Sequence, residues 1–255
     1  MRRLLLGSVA VSLCLLLSVT AVADSLEPAS QQADEPPPSV MVKGLIGHPQ
    51  QRNLSCESRS TTDLAAYWGA DFSEHAFFRR LPKSDNPHRG FVGDVDAPAG
   101  SMPPVGYGVY AEPIAATLRS FGLDAEAHRG MMLTTLKEEL AAHRPVIVWA
   151  TYSMQLPGTQ TWVSSDGMES TVVRWQHTFI VVGYDESSVY LVDAYDGVVK
   201  TFSQEAFVAA WDQLDRMAVT VAGPLVDAVE RTWRALEVDG RCQFLVDGRW
   251  SIGPR

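Results

Sequence analysis

The feature that most constrains the fold is a change of hydrophobic period partway along the chain. Up to about residue 143 the apolar residues recur at helical spacing. Leu64, Ala65, Tyr67 and Trp68 supply the buried side of one helix, which Ser55 would cap and Gly69 would end. A short second helix follows Ser73, carries Phe77 and Phe78, and stops at Pro82. Ile114, Leu118 and Phe121 fall at i, i+4 and i+7 of a third, with Pro113 in its first turn and Gly122 as its stop. Leu136 and Leu140 share one side of a fourth, from about Thr135 to His143. Beyond residue 144 the pattern becomes short apolar runs between turn residues: Pro145 to Ala150, Thr171 to Trp175, His177 to Tyr184, Val189 to Asp193, Val198 to Phe202 and Met217 to Val221. One helix, capped by Ser203 and carrying Phe207, Ala210 and Trp211, interrupts them. Helices first and strands afterwards predict an α+β domain, with N-terminal helices packed on an antiparallel β-sheet.

The ends of the chain read differently. Arg2 and Arg3 precede an apolar stretch from Leu4 to Val22, and Ala21-Val22-Ala23 is a small-x-small cleavage site. Residues 1–23 are expected to be a signal peptide, the alternative being an uncleaved N-terminal membrane anchor. Cys14 falls inside the apolar run and serves there as a small apolar residue. Residues 24–40, rich in Pro, Ser, Gln and acidic side chains, are expected to be a disordered linker. A domain over 41–222 and a tail over 223–255 follow. In the tail, Val226 to Leu236 suits a helix, and Cys242 to Ile252 suits a hairpin turning at Asp247-Gly248. An exported protein meets an oxidising compartment, where Cys56 and Cys242 would be the mature cysteines. They are either a disulfide pair or a reactive thiol and a separate one.

With 21 Lys and Arg against 30 Asp and Glu, the net charge of −9 and the lack of a basic run argue against nucleic acid and anionic membrane as partners. The six histidines are scattered, and no His/Cys spacing matches a zinc site. Asp85, Asp94 and Asp96 lie in a Gly/Pro-rich stretch and read as a solvated acidic loop rather than a calcium loop. No cofactor or metal is expected. Trp149, Trp162, Trp175 and Trp211 read as core or cleft-wall residues.

The candidate chemistry rests on three residues in chain order: Cys56 in the first turn of a helix, His177 opening a strand, and Asp193 closing the next. A helix N-terminus and a nearby imidazolium both favour a thiolate, while the charge of Glu57 opposes it locally. The short turn from Tyr184 to Ser188 makes antiparallel pairing natural, which would bring Asp193 beside His177 to orient the imidazole. A side-chain amide six residues before Cys56, at Gln50, could join the Cys56 backbone N–H in holding an oxyanion, although spacing does not separate it from Gln51. The long loop from Lys83 to Gly108 and the stretch from Tyr152 to Gly167 are expected to shape the cleft.

The ordered segments QQRNLSCE (50–57), GFVG (90–93), GYGVYAE (106–112), RPVIVW (144–149), QHTFIVVGY (176–184) and YLVD (190–193) resemble the C39-like branch of the papain-like cysteine peptidases. They span most of Met41 to Val221. The family places a Gln six residues before its nucleophilic Cys, which favours Gln50. Its His opens a strand ending in Gly-Tyr-Asp, as at Gly183 to Asp185, and its Asp ends the next strand, as Asp193 does. The resemblance implies a papain-like fold and an exported thiol hydrolase acting on a peptide or amide substrate. Cys56 would be nucleophile, His177 base then acid, Asp193 orienter and Gln50 an oxyanion donor. The alternative is a non-catalytic peptide- or cell-wall-binding module on the same fold. Some relatives belong to export transporters, but the chain shows no transmembrane array and no P-loop.

Overall fold

The computed structural model describes residues 35–225, together with two short strands at 243–246 and 249–252. The expected signal peptide, most of the linker, the tail helix from Val226 to Leu236, the Asp247-Gly248 turn, Cys14 and Cys242 lie outside the described residues.

In chain order the elements are β1 (Val40–Met41), α1 (Cys56–Tyr67), α2 (Glu74–Arg80), β2 (Val92–Gly93), β3 (Gly106–Gly108), α3 (Ala111–Ser120), β4 (Leu123–His128), α4 (Leu133–Ala141) and β5 (Val146–Thr151). Then follow β6 (Thr159–Val163), β7 (Glu169–Val173), β8 (Gln176–Tyr184), β9 (Ser188–Asp193), β10 (Val199–Ser203), α5 (Gln204–Asp212), β11 (Ala218–Pro224), β12 (Gln243–Val246) and β13 (Arg249–Ile252). The α+β reading holds. The main sheet is antiparallel in the order β10-β9-β8-β5-β11-β4, with β1 pairing on the far end of β8.

All six residues of β5 are buried, because helices cover both faces of the sheet. Alternate residues of β5 and β8 divide accordingly. Ile147, Trp149, Ile180 and Val182 pack with Leu64 of α1 and Ile114 and Leu118 of α3. Val146, Val148, Phe179 and Val181 pack with Leu136 and Leu140 of α4 and Phe207 and Trp211 of α5. Trp149 and Trp211 are both fully buried, and each satisfies its indole N–H on a backbone carbonyl, of Val109 (2.9 Å) and Met217 (2.8 Å) respectively.

Local chemistry sets the helix ends. Ser73 and Ser203 each accept a backbone N–H three residues on, from Ala76 and Ala206. Ser55 stands at the cap position of α1 but does not cap it. Its hydroxyl accepts the Arg52 N–H of the preceding loop at 3.1 Å and donates to Glu74 Oε1 at 2.5 Å.

Several expectations shift. The compact body begins at Pro36, ahead of Met41: β1 pairs with β8, and the Tyr184 hydroxyl donates to the Pro37 carbonyl. Helix α4 starts two residues earlier than expected and ends before His143, which takes a left-handed φ of 57°. The strand expected over Thr171 to Trp175 is Glu169–Val173, because Trp175 occupies a tight turn at φ 63°. The Tyr152 to Gly167 stretch carries β6, which pairs with β7, and the Lys83 to Gly108 loop carries β2, which pairs with β3. Strand β4 was not expected: only Leu123 and Ala125 of it are buried, too little apolar signal to read without its partner β11. Among the described residues no helix is long and apolar enough to cross a membrane.

Candidate active site

Sheet register assembles the site. Antiparallel pairing of β8 with β9 sets Phe179 opposite Asp193, so His177, two residues earlier, lies at the same end of the sheet as the carboxylate. His177 Nε2 and Asp193 Oδ1 are 2.7 Å apart, with both side chains at least nine-tenths buried. A carboxylate only accepts, so Nε2 carries the hydrogen and Nδ1 is left as the basic nitrogen. Asp193 Oδ1 also accepts the Tyr195 N–H at 2.9 Å, and edge-on contacts from Tyr152 and Phe179 fix the imidazole plane.

Cys56 comes from the other side, at the first residue of α1. The helix is clamped to β8 by Ser60 Oγ and Thr178 Oγ1, 3.1 Å apart. The stretch Cys56 to Asp63 is polar yet buried, and most of its polar side chains are hydrogen-bonded, Arg59 Nε being an exception. Arg59 donates to Asp63 (2.7 Å) and Glu74 (3.4 Å). Asp63 also accepts the backbone N–H of His48 (2.9 Å) and lies 2.8 Å from its ring. Glu74 also accepts the Gln51 N–H (3.0 Å). This network binds the 48–55 segment to α1 and α2. At its other edge the Gln50 N–H donates to the Ala194 carbonyl, beside Asp193.

Cys56 and His177 line one cleft of about 740 Å³. One wall is the Pro49 to Leu54 segment. The other carries Tyr152, Trp175, Gln176, Tyr195 and Asp196, and Ala99, Gly100 and Tyr107 complete it. Both loops expected to shape the cleft therefore contribute residues. Gly100, at φ 78°, lies flat on the Trp175 indole, where a Cβ would come within 2.8 Å of the ring. The charged rim residues are internally paired, Arg52 with Asp96 and Asp196 with Lys200.

Two details depart from the sequence reading. Gln50 spends both amide hydrogens on the carbonyls of Arg52 and Asn53, each at 2.8 Å, and its Oε1 is buried without a hydrogen-bond partner. Cys56 is a free, buried thiol whose pKa is raised rather than lowered. Burial is the first cause and the neighbouring Glu57 charge the second, with hydrogen bonding from Thr178 working the other way. The Cys56 Sγ donates to Glu57 Oε2 at 3.3 Å. Tyr107, Gln176 and Thr178 were not read as site residues, and Glu57 only as a charge opposing the thiolate, although all four fall within the segments that carry the family resemblance. Asp94 and Asp96 are engaged with each other and with Arg52, and Asp85 accepts the Ser165 N–H. Among the described residues no group of three or more His, Cys, Asp and Glu side chains is placed to hold a metal ion.

The chain is similar to known proteins. The chain is 25% identical over 197 residues to the uncharacterized protein YvpB of Bacillus subtilis (strain 168), covering 72% of this chain and 75% of that protein. A candidate C39-like peptidase from Bacillus anthracis superposes with a TM-score of 0.64 at 22% identity, over 72% of this chain and 97% of the other. The peptidase domain of Streptococcus ComA, a bifunctional ABC transporter of a quorum-sensing pathway, gives 0.43 at 17% identity, over 71% and 99%. The expected α+β architecture, helices packed on an antiparallel sheet, is the observed one, and the fold is shared with the Bacillus anthracis protein. Residues 30–219 match the sequence pattern of the Peptidase_C39 like family, and since that is most of the chain, the protein belongs to this family.

Proposed function

We propose that the protein is an exported thiol hydrolase that cleaves peptide or amide bonds through Cys56, His177 and Asp193. The observation that carries this reading is the buried His177 Nε2 to Asp193 Oδ1 hydrogen bond on the cleft that Cys56 also lines. Asp193 holds the imidazole in the tautomer whose Nδ1 takes a proton. His177 removes the Cys56 proton, the sulfur attacks the substrate carbonyl, and the imidazolium returns the proton to the leaving amine. Water then releases the acyl group by the same exchange. The tetrahedral oxyanion is held by the Cys56 backbone N–H, a first-turn donor of α1 that has no acceptor within the helix. Gln50 joins it if its amide turns away from Arg52 and Asn53. The exposed aromatic rim of Trp175 and Tyr195 favours substrates with apolar or planar groups beside the scissile bond. Export rests on the Arg2-Arg3 and Ala21-Val22-Ala23 features.

The test is a peptide-library digest read by mass spectrometry, with the wild type beside Cys56→Ala and His177→Ala. Cleavage should occur with the wild type and fall by about 10²-fold or more in either variant. Cleavage that survives Cys56→Ala overturns the reading. So does a wild type that cleaves nothing and whose Cys56 is not labelled by peptidyl electrophiles, which would leave a binding role. N-terminal sequencing of the protein recovered outside the cytoplasm checks the processing site.

A further inference from the structure

Glu57 is a buried carboxyl none of whose hydrogen-bond partners is a cation. It is 1% exposed. Its Oε1 accepts the Val109 N–H at 3.0 Å and the Gln176 side-chain amide at 3.2 Å, and its Oε2 accepts the Cys56 S–H at 3.3 Å. The backbone is shaped around it: Gly108 has φ 128°, and a Cβ there would collide with Oε1. Three donors converge on it, which is the environment of an ionised, acceptor-only carboxylate. Burying a charge is costly, so a carboxylate placed against the sulfur needs a reason beyond packing.

We propose that Glu57 acts on the nucleophile itself: it accepts the Cys56 S–H in the resting protein and keeps the sulfur a neutral thiol until His177 takes the proton. The inference rests on reading Cys56 as the nucleophile. In the activating step the S–H bond breaks, the sulfur keeps the electron pair, and an N–H bond forms at His177 Nδ1. Glu57 gains no proton, and its charge then opposes the thiolate. The thiolate is therefore a transient of the engaged site rather than its resting state, and the free thiol is shielded from solvent electrophiles. The other titratable groups that interact with Glu57 are the phenols of Tyr107 and Tyr110, from β3 and the residue that precedes α3. Burial pushes both phenols up, so they stay neutral. Burial raises Glu57 overall, and the hydrogen bonds from Val109, its own backbone N–H, Cys56 and Gln176 work in the opposite direction.

The experiment is the rate of iodoacetamide alkylation of Cys56 against pH, for the wild type and Glu57→Gln. Gln removes the charge at almost constant shape. The midpoint should fall by roughly one to two pH units in the variant, with faster labelling at neutral pH. An unchanged or raised midpoint in a variant that melts like the wild type overturns the proposal; a purely structural Glu57 would move the melting temperature and leave the midpoint alone. If Glu57→Gln does not fold, the wild type decides by itself. An infrared S–H band at neutral pH, absent from Cys56→Ala, supports the proposal, and thiolate ultraviolet absorbance in its place overturns it. Neither readout needs a substrate. The two failures are distinguishable: an unchanged midpoint in a protein that cleaves peptides overturns the Glu57 proposal alone, and a shifted midpoint in a protein that cleaves nothing leaves Glu57 acting on the Cys56 thiol but removes the step through His177.

Discussion

Arg59 is the residue whose loss should cost the fold most for a single polar side chain. Its guanidinium is the cation between two carboxylates, Asp63 and Glu74, that are each only 2% exposed, and it is itself 8% exposed. His48 also touches Asp63, but its side chain is 57% exposed and is charged only when protonated. Arg59→Met keeps much of the stem's packing and deletes the charge, leaving two buried carboxylates to face each other uncompensated. Breaking a buried ion pair from one side costs about 3–5 kcal/mol. That is a large share of the roughly 5–15 kcal/mol that holds a domain together. At about 2–4 °C per kcal/mol for a body of this size, the melting temperature should fall by about 6–20 °C. The assay is thermal unfolding by circular dichroism at neutral pH. The same protein with Arg59→Met, Asp63→Leu and Glu74→Leu combined should recover most of the loss, because the penalty lies in the stranded charges. A fall of less than about 1 kcal/mol for Arg59→Met, the size of an ordinary surface pair, would refute the reasoning. So would a triple variant no better than the single one.

Two further outcomes follow from particular contacts. Asp193→Asn should preserve the fold but lower peptide hydrolysis by about 10²–10⁴-fold, because an amide can hold the wrong His177 tautomer; an activity near wild type in a steady-state assay would count against Asp193 as the orienting group. Glu112 has a pKa near 2: burial works against that direction, but the hydrogen bond to His88, its own backbone N–H and the charges of His88 and Arg129 outweigh it. A depressed carboxyl pKa contributes stability above its unfolded value near 4.5 and loses it as pH falls towards about 2. With its side chain 40% exposed, screening reduces that contribution to about 1–2 kcal/mol. Glu112→Gln should therefore lower urea stability at neutral pH, and the gap to wild type should close on acidification through that window. A gap that persists at the acid end would mean that packing, not charge, is responsible.

What the residues settled by themselves was periodicity and order. Helical spacing before residue 144 and apolar runs after it were enough for an α+β fold, because the period follows from which face must be buried. The chain order of Cys56, His177 and Asp193, with the short turn after Tyr184, was enough to place His177 and Asp193 side by side, because a hairpin's register is set locally. Properties that depend on what packs against a group from elsewhere in the chain were not legible. Strand β4 exists through its pairing with β11 and not through its own weak alternation. Ser55 does not cap α1: its hydroxyl accepts the Arg52 N–H and is turned towards Glu74, 19 residues away. The polar first two turns of α1 are buried only because His48, Arg59 and Glu74 converge there. Above all, the helix start and the Glu57 charge were read as opposing local influences on Cys56, and burial, the first cause that raises its pKa, came only with the packed structure. Local periodicity placed the chemistry in one cleft, and the dielectric and the neighbours that tune it came only with the packed structure.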